Sequence, residues 1–232
     1  MVSTDPGAVA AEHLAPVFQH TFGNPRLLYE ALTHGSAGDE HGHNYERLEF
    51  LGDRVLSLVV AELLYRHFPD EPEGKLARRS AALVRRDALA EVAGEIGLGP
   101  FLVLSRGEDD SGGRENPSLL ADVCEAVIAA LYLDGGLPVA VRFIERYWQP
   151  MMSRSRTPPT DAKTALQEWL QGRGEPLPVY QIVERAGPDH APVFTIEVAA
   201  GDTHTAVGSG GNRRVAEQEA AKALLKVLGV ND

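Results

Sequence analysis

The sequence predicts two domains: a mostly α N-terminal domain, then a C-terminal α+β domain with the element order α-β-β-β-α. Three observations predict this. Up to about residue 152 the apolar residues recur at helical spacing, and the runs over 45–67 and 119–133 are too long for strands. Ser153 to Thr160 reads Ser-Arg-Ser-Arg-Thr-Pro-Pro-Thr, a linker composition. Beyond it, three short β-branched and aromatic segments lie between two helical stretches. The expected domains are 1–152 and 161–232, joined by a linker over 153–160.

In chain order, residues 8–33 read as largely helical, with Asn24-Pro25 as a fresh helix start. A polar loop follows from Thr33 to Asn44. Its His34, His41 and His43 lack regular ligand spacing, so a solvated loop is expected rather than an imidazole metal site. A long helix is expected from Tyr45 to His67, with Leu48, Leu51, Val55, Leu58, Val59 and Leu63 as its inward stripe and Phe50 pointing away. Pro69 and Pro72 break the chain, and Glu73 to Gly94 resumes as one helix. There Arg78, Arg79, Arg85 and Arg86 form two pairs, read as a solvated face or, beside a phosphate site, as backbone contacts. Arg106 to Pro117 reads as a charged loop. Among the fifteen residues from Leu119 to Leu133 only Asp122 and Glu125 are charged, so this helix is expected to be buried. A helix over Pro138 to Met151 closes the domain.

In the second domain Asp161 caps a helix to Gln171. Strands are expected at Val179–Glu184, Val193–Ala199 and His204–Gly208. A glycine turn over Gly208 to Gly211 then leads, through Asn212 as cap, into a helix ending at Leu228.

Composition narrows the function. A single cysteine, Cys124, excludes an intramolecular disulfide and a multi-cysteine zinc site, and fits a reducing, cytoplasmic setting. No signal peptide is read at the N-terminus, and no apolar run reaches the ~18–20 residues that span a bilayer. The net charge of −11 divides as −8 over 1–159 and −3 over 160–232, so nucleic-acid binding would rest on local patches.

The chemistry-bearing residues are acids. Glu46, Glu49 and Asp53 are spaced to share one helix face that continues as Leu56, Val60 and Leu64. Asp122 and Glu125 lie one turn apart on an otherwise apolar helix. Two readings stand: a solvated acid helix plus a buried acid–arginine pair, or an all-oxygen metal site. Two acid sets together favour the second, with a hard cation such as Mg²⁺, or Mn²⁺ in its place, over zinc. Five clustered carboxylates without a cation repel, so at least one should hold its proton more tightly. In the second domain Arg213 and Arg214, with Lys222 further along, open the last helix. They suit a phosphate or make an ordinarily solvated helix start, and Glu217 and Glu219 weaken the patch.

Glu46-Arg47-Leu48-Glu49-Phe50-Leu51-Gly52-Asp53 resembles the signature of bacterial ribonuclease III. Leu119-Leu120-Ala121-Asp122-Val123-Cys124-Glu125-Ala126 resembles its second acidic motif, and Leu32-Thr33-His34-Gly35-Ser36 its upstream motif. Residues 161–229 resemble a double-stranded RNA-binding domain. The resemblance implies a ribonuclease III-type helical domain that hydrolyses phosphodiesters of double-stranded RNA with Mg²⁺, leaving 5′-phosphate and 3′-hydroxyl ends with a short 3′ overhang. RNA processing, ribosomal RNA above all, is the task it implies. It assigns Glu49, Asp53, Asp122 and Glu125 as the metal-binding catalytic set, with Glu46 and Glu73 as accessory acids near the cleavage site. It implies a homodimer in which each subunit cuts one strand and Phe50 enters a pocket of the partner.

For RNA binding the resemblance assigns Thr164, Gln167 and Glu168 on the first helix, His190 in the loop after the first strand, and Asn212, Arg213 and Arg214 at the last helix start. Such domains follow A-form shape rather than sequence. Some positions depart from the family pattern. Tyr45 precedes Glu46 where many members have Asn, with Asn44 one place back. Glu217 stands where stronger binders often carry Lys, and arginines stand at 213 and 214 where Lys is common. Modest, strongly salt-dependent RNA affinity is therefore expected.

Overall fold

The computed structural model describes residues 6–38, 43–154, 162–188, 192–201 and 204–230. The chain divides between Pro158 and Pro159 into two compact units. In the first, α1 (Pro6–Phe18), α2 (Pro25–Leu32), α3 (Glu46–His67), α4 (Glu73–Leu83), α5 (Arg86–Glu95), α6 (Arg106–Asp110), α7 (Pro117–Gly135) and α8 (Leu137–Arg154) form an all-helical bundle. Its axis is α7, against which α2, α3, α5 and α8 all pack. This follows from composition: Ala121, Val123, Cys124 and every residue from Ala126 to Leu131 are buried, and the small side chains admit neighbours on all sides. Asn116 caps α7 by accepting from the Ser118 N–H at 2.9 Å, with Pro117 at the first helical position.

Four local expectations change. The inward face of α3 is centred on Leu56, Val60 and Leu64, at 0–1 % exposure, while Leu58 points outward at 59 %. The acids at 49 and 53 head this most buried face, which continues as Leu56, Val60 and Leu64 as their spacing predicts. The single helix expected over 73–94 is two, because the chain turns extended at Arg85 (φ −74°, ψ 157°). A long-range hydrogen bond marks that end: the buried Trp148 indole N–H donates to the Leu83 carbonyl at 2.8 Å. The loop expected over 106–117 contains α6, capped by Ser105. Helix α8 continues through Ser153 and Arg154, and the rest of the linker segment lies outside the described residues.

Arg79, expected on a solvated face, is 3 % exposed. It donates to both oxygens of Glu71 at 2.8 Å, and its guanidinium lies 3.8 Å from the Phe68 ring centroid. This cluster fixes the turn between α3 and α4.

The second unit is α9 (Ala162–Gln171), β1 (Val179–Ala186), β2 (Val193–Ala200), β3 (His204–Gly210) and α10 (Arg213–Val227). The antiparallel sheet has order β1-β2-β3, with Ile182 opposite Ile196 and Ile196 opposite Gly208. Leu166 and Leu170 of α9 and Ala216, Ala220 and Leu224 of α10 close the core with Ile196 and Val198. β3 includes Gly208 as expected and runs on to Gly210, which was expected in the turn. A β-carbon at Gly208 would stand 2.1 Å from the Ala220 backbone nitrogen, so glycine lets α10 settle on the strand. The expected Asp161 cap lies outside the described residues.

Candidate metal centre and nucleic-acid interface

Two helices carry the acids, and one glycine brings them together. Gly52 is buried within α3, and a β-carbon there would stand 1.8 Å from the carbonyl oxygen of Glu125. The two backbones therefore meet where Gly52 stands beside Asp53 and one turn from Glu49. Glu46, Glu49, Asp53, Asp122 and Glu125 consequently line one cavity of about 370 Å³. Arg54, Val84, Arg86, Leu89 and Phe50 also contribute to its wall. Of the accessory acids, Glu46 is in the pocket, whereas Glu73, exposed at the start of α4, does not line it.

The Leu32–Ser36 motif braces the start of α3. Thr33 pairs with Val103 in a parallel bridge, and the Tyr45 N–H donates to the Thr33 carbonyl at 2.9 Å. Asn44 Oδ1 accepts from the Glu46 N–H at 3.0 Å, and the His34 and Tyr45 rings lie 5.7 Å apart. Tyr45 is buried beside the acids. Burial, then the charges of Asp122 and Glu49, push its phenol up to about 12.

The electrostatics are those of carboxylates short of positive charge. Glu125 is raised to about 7, first by burial and then by Glu49 and Asp122, with Arg54 and Arg86 offsetting part of this. Asp122 is raised by burial against the opposing pull of Arg86 and His34. Glu49 is raised by burial, Asp122 and Glu46. The expectation that crowded acids hold protons more tightly is met at three positions. Asp53 is paired with Arg54 and accepts from Ser57 Oγ at 3.4 Å. Cys124, wholly buried between the two α7 acids, is a thiol held up by burial, a core residue rather than a ligand.

A hard divalent ion fits this donor set in kind: five carboxylates and, among the described residues, no thiolate and no imidazole at the wall. The oxygens are spread, however. Among the described residues no three His, Cys, Asp or Glu side chains stand as a ready-made cage. Asp53 is turned onto Arg54.

Phe50 is 65 % exposed at the rim, with the Arg54 guanidinium 4.8 Å from its ring centroid. Leu58 and Tyr65, at 59 % and 74 % exposure, follow it along the same side of α3. The stripe was only partly legible, since Leu58 was expected inside and Tyr65 carried no signal. Gly52 was not singled out in the sequence, though a glycine inside an apolar helix is the signal that could have found it. Arg54 was not singled out, and Arg86 was read only as one of two basic pairs, a solvated face or, beside a phosphate site, a backbone contact; the acids of α7 that both arginines overlook come from another helix.

In the second unit Thr164, Gln167 and Glu168 are exposed at i, i+3 and i+4 on α9 and so share one face. Asn212 spends its side-chain oxygen as the cap of α10, accepting from the Val215 N–H at 3.0 Å. Arg213 is exposed but donates to Glu217 at 2.8 Å, and Lys163 pairs with the same carboxylate. Glu217 is 9 % exposed, and these hydrogen bonds, that of Lys163 first, hold its carboxyl below the usual range. Arg214 is exposed and has no hydrogen bond or ion pair with the described residues. His190 lies outside them.

Comparison with known proteins agrees with both halves. Residues 24–151 match the family model described as Ribonuclease-III-like, and residues 162–228 match the double-stranded RNA binding motif. The chain is 49 % identical over 203 residues to the protein named Ribonuclease 3 of Anaplasma marginale, covering 87 % of this chain and 88 % of that one. It is 49 % identical over 214 residues to the Ribonuclease 3 of Azorhizobium caulinodans, covering 91 % of each. Among solved structures, the nuclease domain of ribonuclease III from Campylobacter jejuni is similar with a TM-score of 0.56 and 41 % identity, over 60 % of this chain and 98 % of that one.

Proposed function

The chain belongs to the ribonuclease III family, and on that premise we propose that its acid pocket is a Mg²⁺-dependent phosphodiesterase centre working in a homodimer. The protein is a double-strand-specific endoribonuclease. The observation that carries the metal reading is the Gly52–Glu125 contact, which gathers five carboxylates from two helices into one cavity.

Glu49, Asp53, Asp122 and Glu125 would hold the ion, Mg²⁺ or Mn²⁺, with Asp53 exchanging Arg54 for it. A bound divalent ion supplies positive charge to the phosphodiester and to the attacking water. Glu46 stands at the mouth, on the same helix face one turn before Glu49, where it orients the entering backbone. Gly52 keeps α3 and α7 in contact so that the carboxylates converge. Glu125 gives up its proton before it can ligate, because ligands bind deprotonated. In-line displacement would leave a 5′-phosphate and a 3′-hydroxyl.

The exposed stripe Phe50, Leu58 and Tyr65 supports pairing of two nuclease domains along α3, with Phe50 entering the partner. One of the solved relatives, that of Campylobacter jejuni, is described with a region involved in dimer formation. Thr164, Gln167, Glu168 and His190, with Asn212, Arg213 and Arg214, would follow the duplex. Glu73 remains an accessory acid in this reading only if RNA bridges it to the pocket. The expected setting is cytoplasmic processing of structured RNA, ribosomal precursors included. Among the described residues no helix is long and apolar enough to cross a membrane.

The test is incubation of a long RNA duplex with Mg²⁺ or with EDTA, with the product ends mapped. Cleavage only with Mg²⁺, to 5′-phosphate and 3′-hydroxyl ends, is expected. Retention without cutting under both conditions would mark a duplex binder on an idle scaffold and overturn the metal reading.

A further inference from the structure

Two arginines line the acid pocket, and they differ in what they are free to do. Arg54 is committed to Asp53 and to the Phe50 ring. Arg86 lines the same cavity, is exposed, and forms no hydrogen bond or ion pair with any described residue. Its charge reaches Glu49, Asp122 and Glu125 without touching them. All five guanidinium donors are unspent.

Its placement is deliberate in the backbone. Arg86 is the first residue of α5, where a cation opposes the helix dipole and is ordinarily disfavoured. It reaches the pocket because the chain leaves α4 at Leu83, runs extended at Arg85 and restarts at 86. Both sides of that break are held: Trp148 caps the Leu83 carbonyl, and Leu89, one turn into α5, is 2 % exposed. A locally unfavourable cation on a fixed shoulder over an acid cavity is the pattern of a residue kept for a ligand. The neighbouring Arg85 instead pairs with Asp87 at 3.7 Å.

We propose that Arg86 is a substrate-binding residue that grips the RNA phosphate seated in the acid pocket through its free guanidinium. This rests on the phosphodiesterase reading of the same cavity. An RNA phosphate entering among five carboxylates meets repulsion, and Arg54 can help relieve it only once Asp53 has turned from it to the ion, whereas Arg86 has no such commitment. Arg86 supplies a positive charge with forked donors that match two non-bridging phosphate oxygens. It transfers no proton, and the acids remain the ion's ligands.

The test uses the full chain with duplex RNA. In the cleavage-inactive E125Q background, RNA affinity is measured against KCl concentration with and without R86Q or R86K. R86Q is expected to weaken binding about tenfold, the size of one charge-assisted contact, and to reduce the slope of log K against log salt by about one. R86K should keep the slope. In the otherwise unaltered enzyme R86Q should lower kcat/KM at least tenfold, and R86K should recover part of it, since an ammonium cannot fork. A slope unchanged by R86Q, or an effect confined to Mn²⁺ affinity measured without RNA, would make Arg86 only a counter-ion of the acids and overturn the proposal. Failure of the parent enzyme to cut duplex with Mg²⁺ would instead overturn the phosphodiesterase reading. The two outcomes are separable because the slope is read on binding alone.

Discussion

Gly52 and Glu125 touch backbone to backbone, with 1.8 Å left for a β-carbon that glycine does not have. Gly52→Ala must therefore push α7 away from α3. We expect a loss of at least about 1–3 kcal/mol of stability, seen in a urea or thermal melt, together with loss of cleavage. Gly74, in α4, has open space around its β-position. Gly74→Ala is the control, expected to be neutral or stabilising by up to about 1 kcal/mol. Equal behaviour of the two variants would refute the contact.

Glu125 gives a pH signature. Its carboxyl is raised from 4.5 to about 7 in the fold, mainly by burial. Folding therefore favours the protonated form, and the metal-free protein loses stability as pH rises from about 4.5 to about 7, with the full penalty above that. Glu125→Gln removes the penalty. At pH 8 without metal, E125Q should melt higher than the parent, and the gap should close below pH 5. Mg²⁺ should raise the parent's melting temperature more than the variant's, and E125Q should not cut RNA while still binding it. Identical metal-free melts at pH 8 would contradict the assignment.

The Arg79–Glu71 pair has the opposite sign. The Arg79 hydrogen bonds hold the Glu71 carboxyl below its ordinary value. The stability this contributes is present above the unfolded-state value and is lost as pH falls through the folded one. Arg79→Ala strips the stack on Phe68 and both hydrogen bonds to Glu71, whose carboxylate keeps only the more distant charges of Lys75 and Arg78, so about 1.5–3 kcal/mol is expected to go. Denaturant melts at pH 7 and pH 3.5 check both statements, since the difference between parent and variant should shrink in acid.

Phe50→Ala should leave the monomer fold intact, because the ring is 65 % exposed. If Phe50 enters a partner subunit, its removal should cost about 2 kcal/mol or more of association, raising the dimer dissociation constant some thirtyfold or more. Analytical ultracentrifugation across concentration reads this directly. An unchanged dissociation constant would remove Phe50 from the interface.

Much of this was legible in the sequence, and what was not has a common cause. Helix existence and the α-β-β-β-α order follow from local periodicity, which residues carry themselves. The acid cluster was legible because two sets of carboxylates each contradict their surroundings, three on a face that becomes apolar and two in a helix otherwise without charge. The break at Val84–Arg85 was not, because it is held by Trp148 from a helix 65 residues away. The burial of Arg79 was hidden for a similar reason, since its partner Glu71 lies across a turn. Arg86 looked like one of two basic pairs, and only the packing of α5 against α7 reveals what it overlooks.

Glu217 has a consequence in time. It engages Arg213 within α10 and Lys163 from α9, so that the second pair ties the two helices, and of the arginines at the start of α10 only Arg214 has no ion pair among the described residues. A domain that spends charge on its own rigidity is expected to grip a polyanion briefly. Short residence on each duplex would let one molecule sample many RNAs before committing to a cut. Letting go of products is then expected to be faster than chemistry, so that the acid centre, rather than the RNA-binding domain, sets the pace of turnover. A pre-steady-state burst of product would show the reverse.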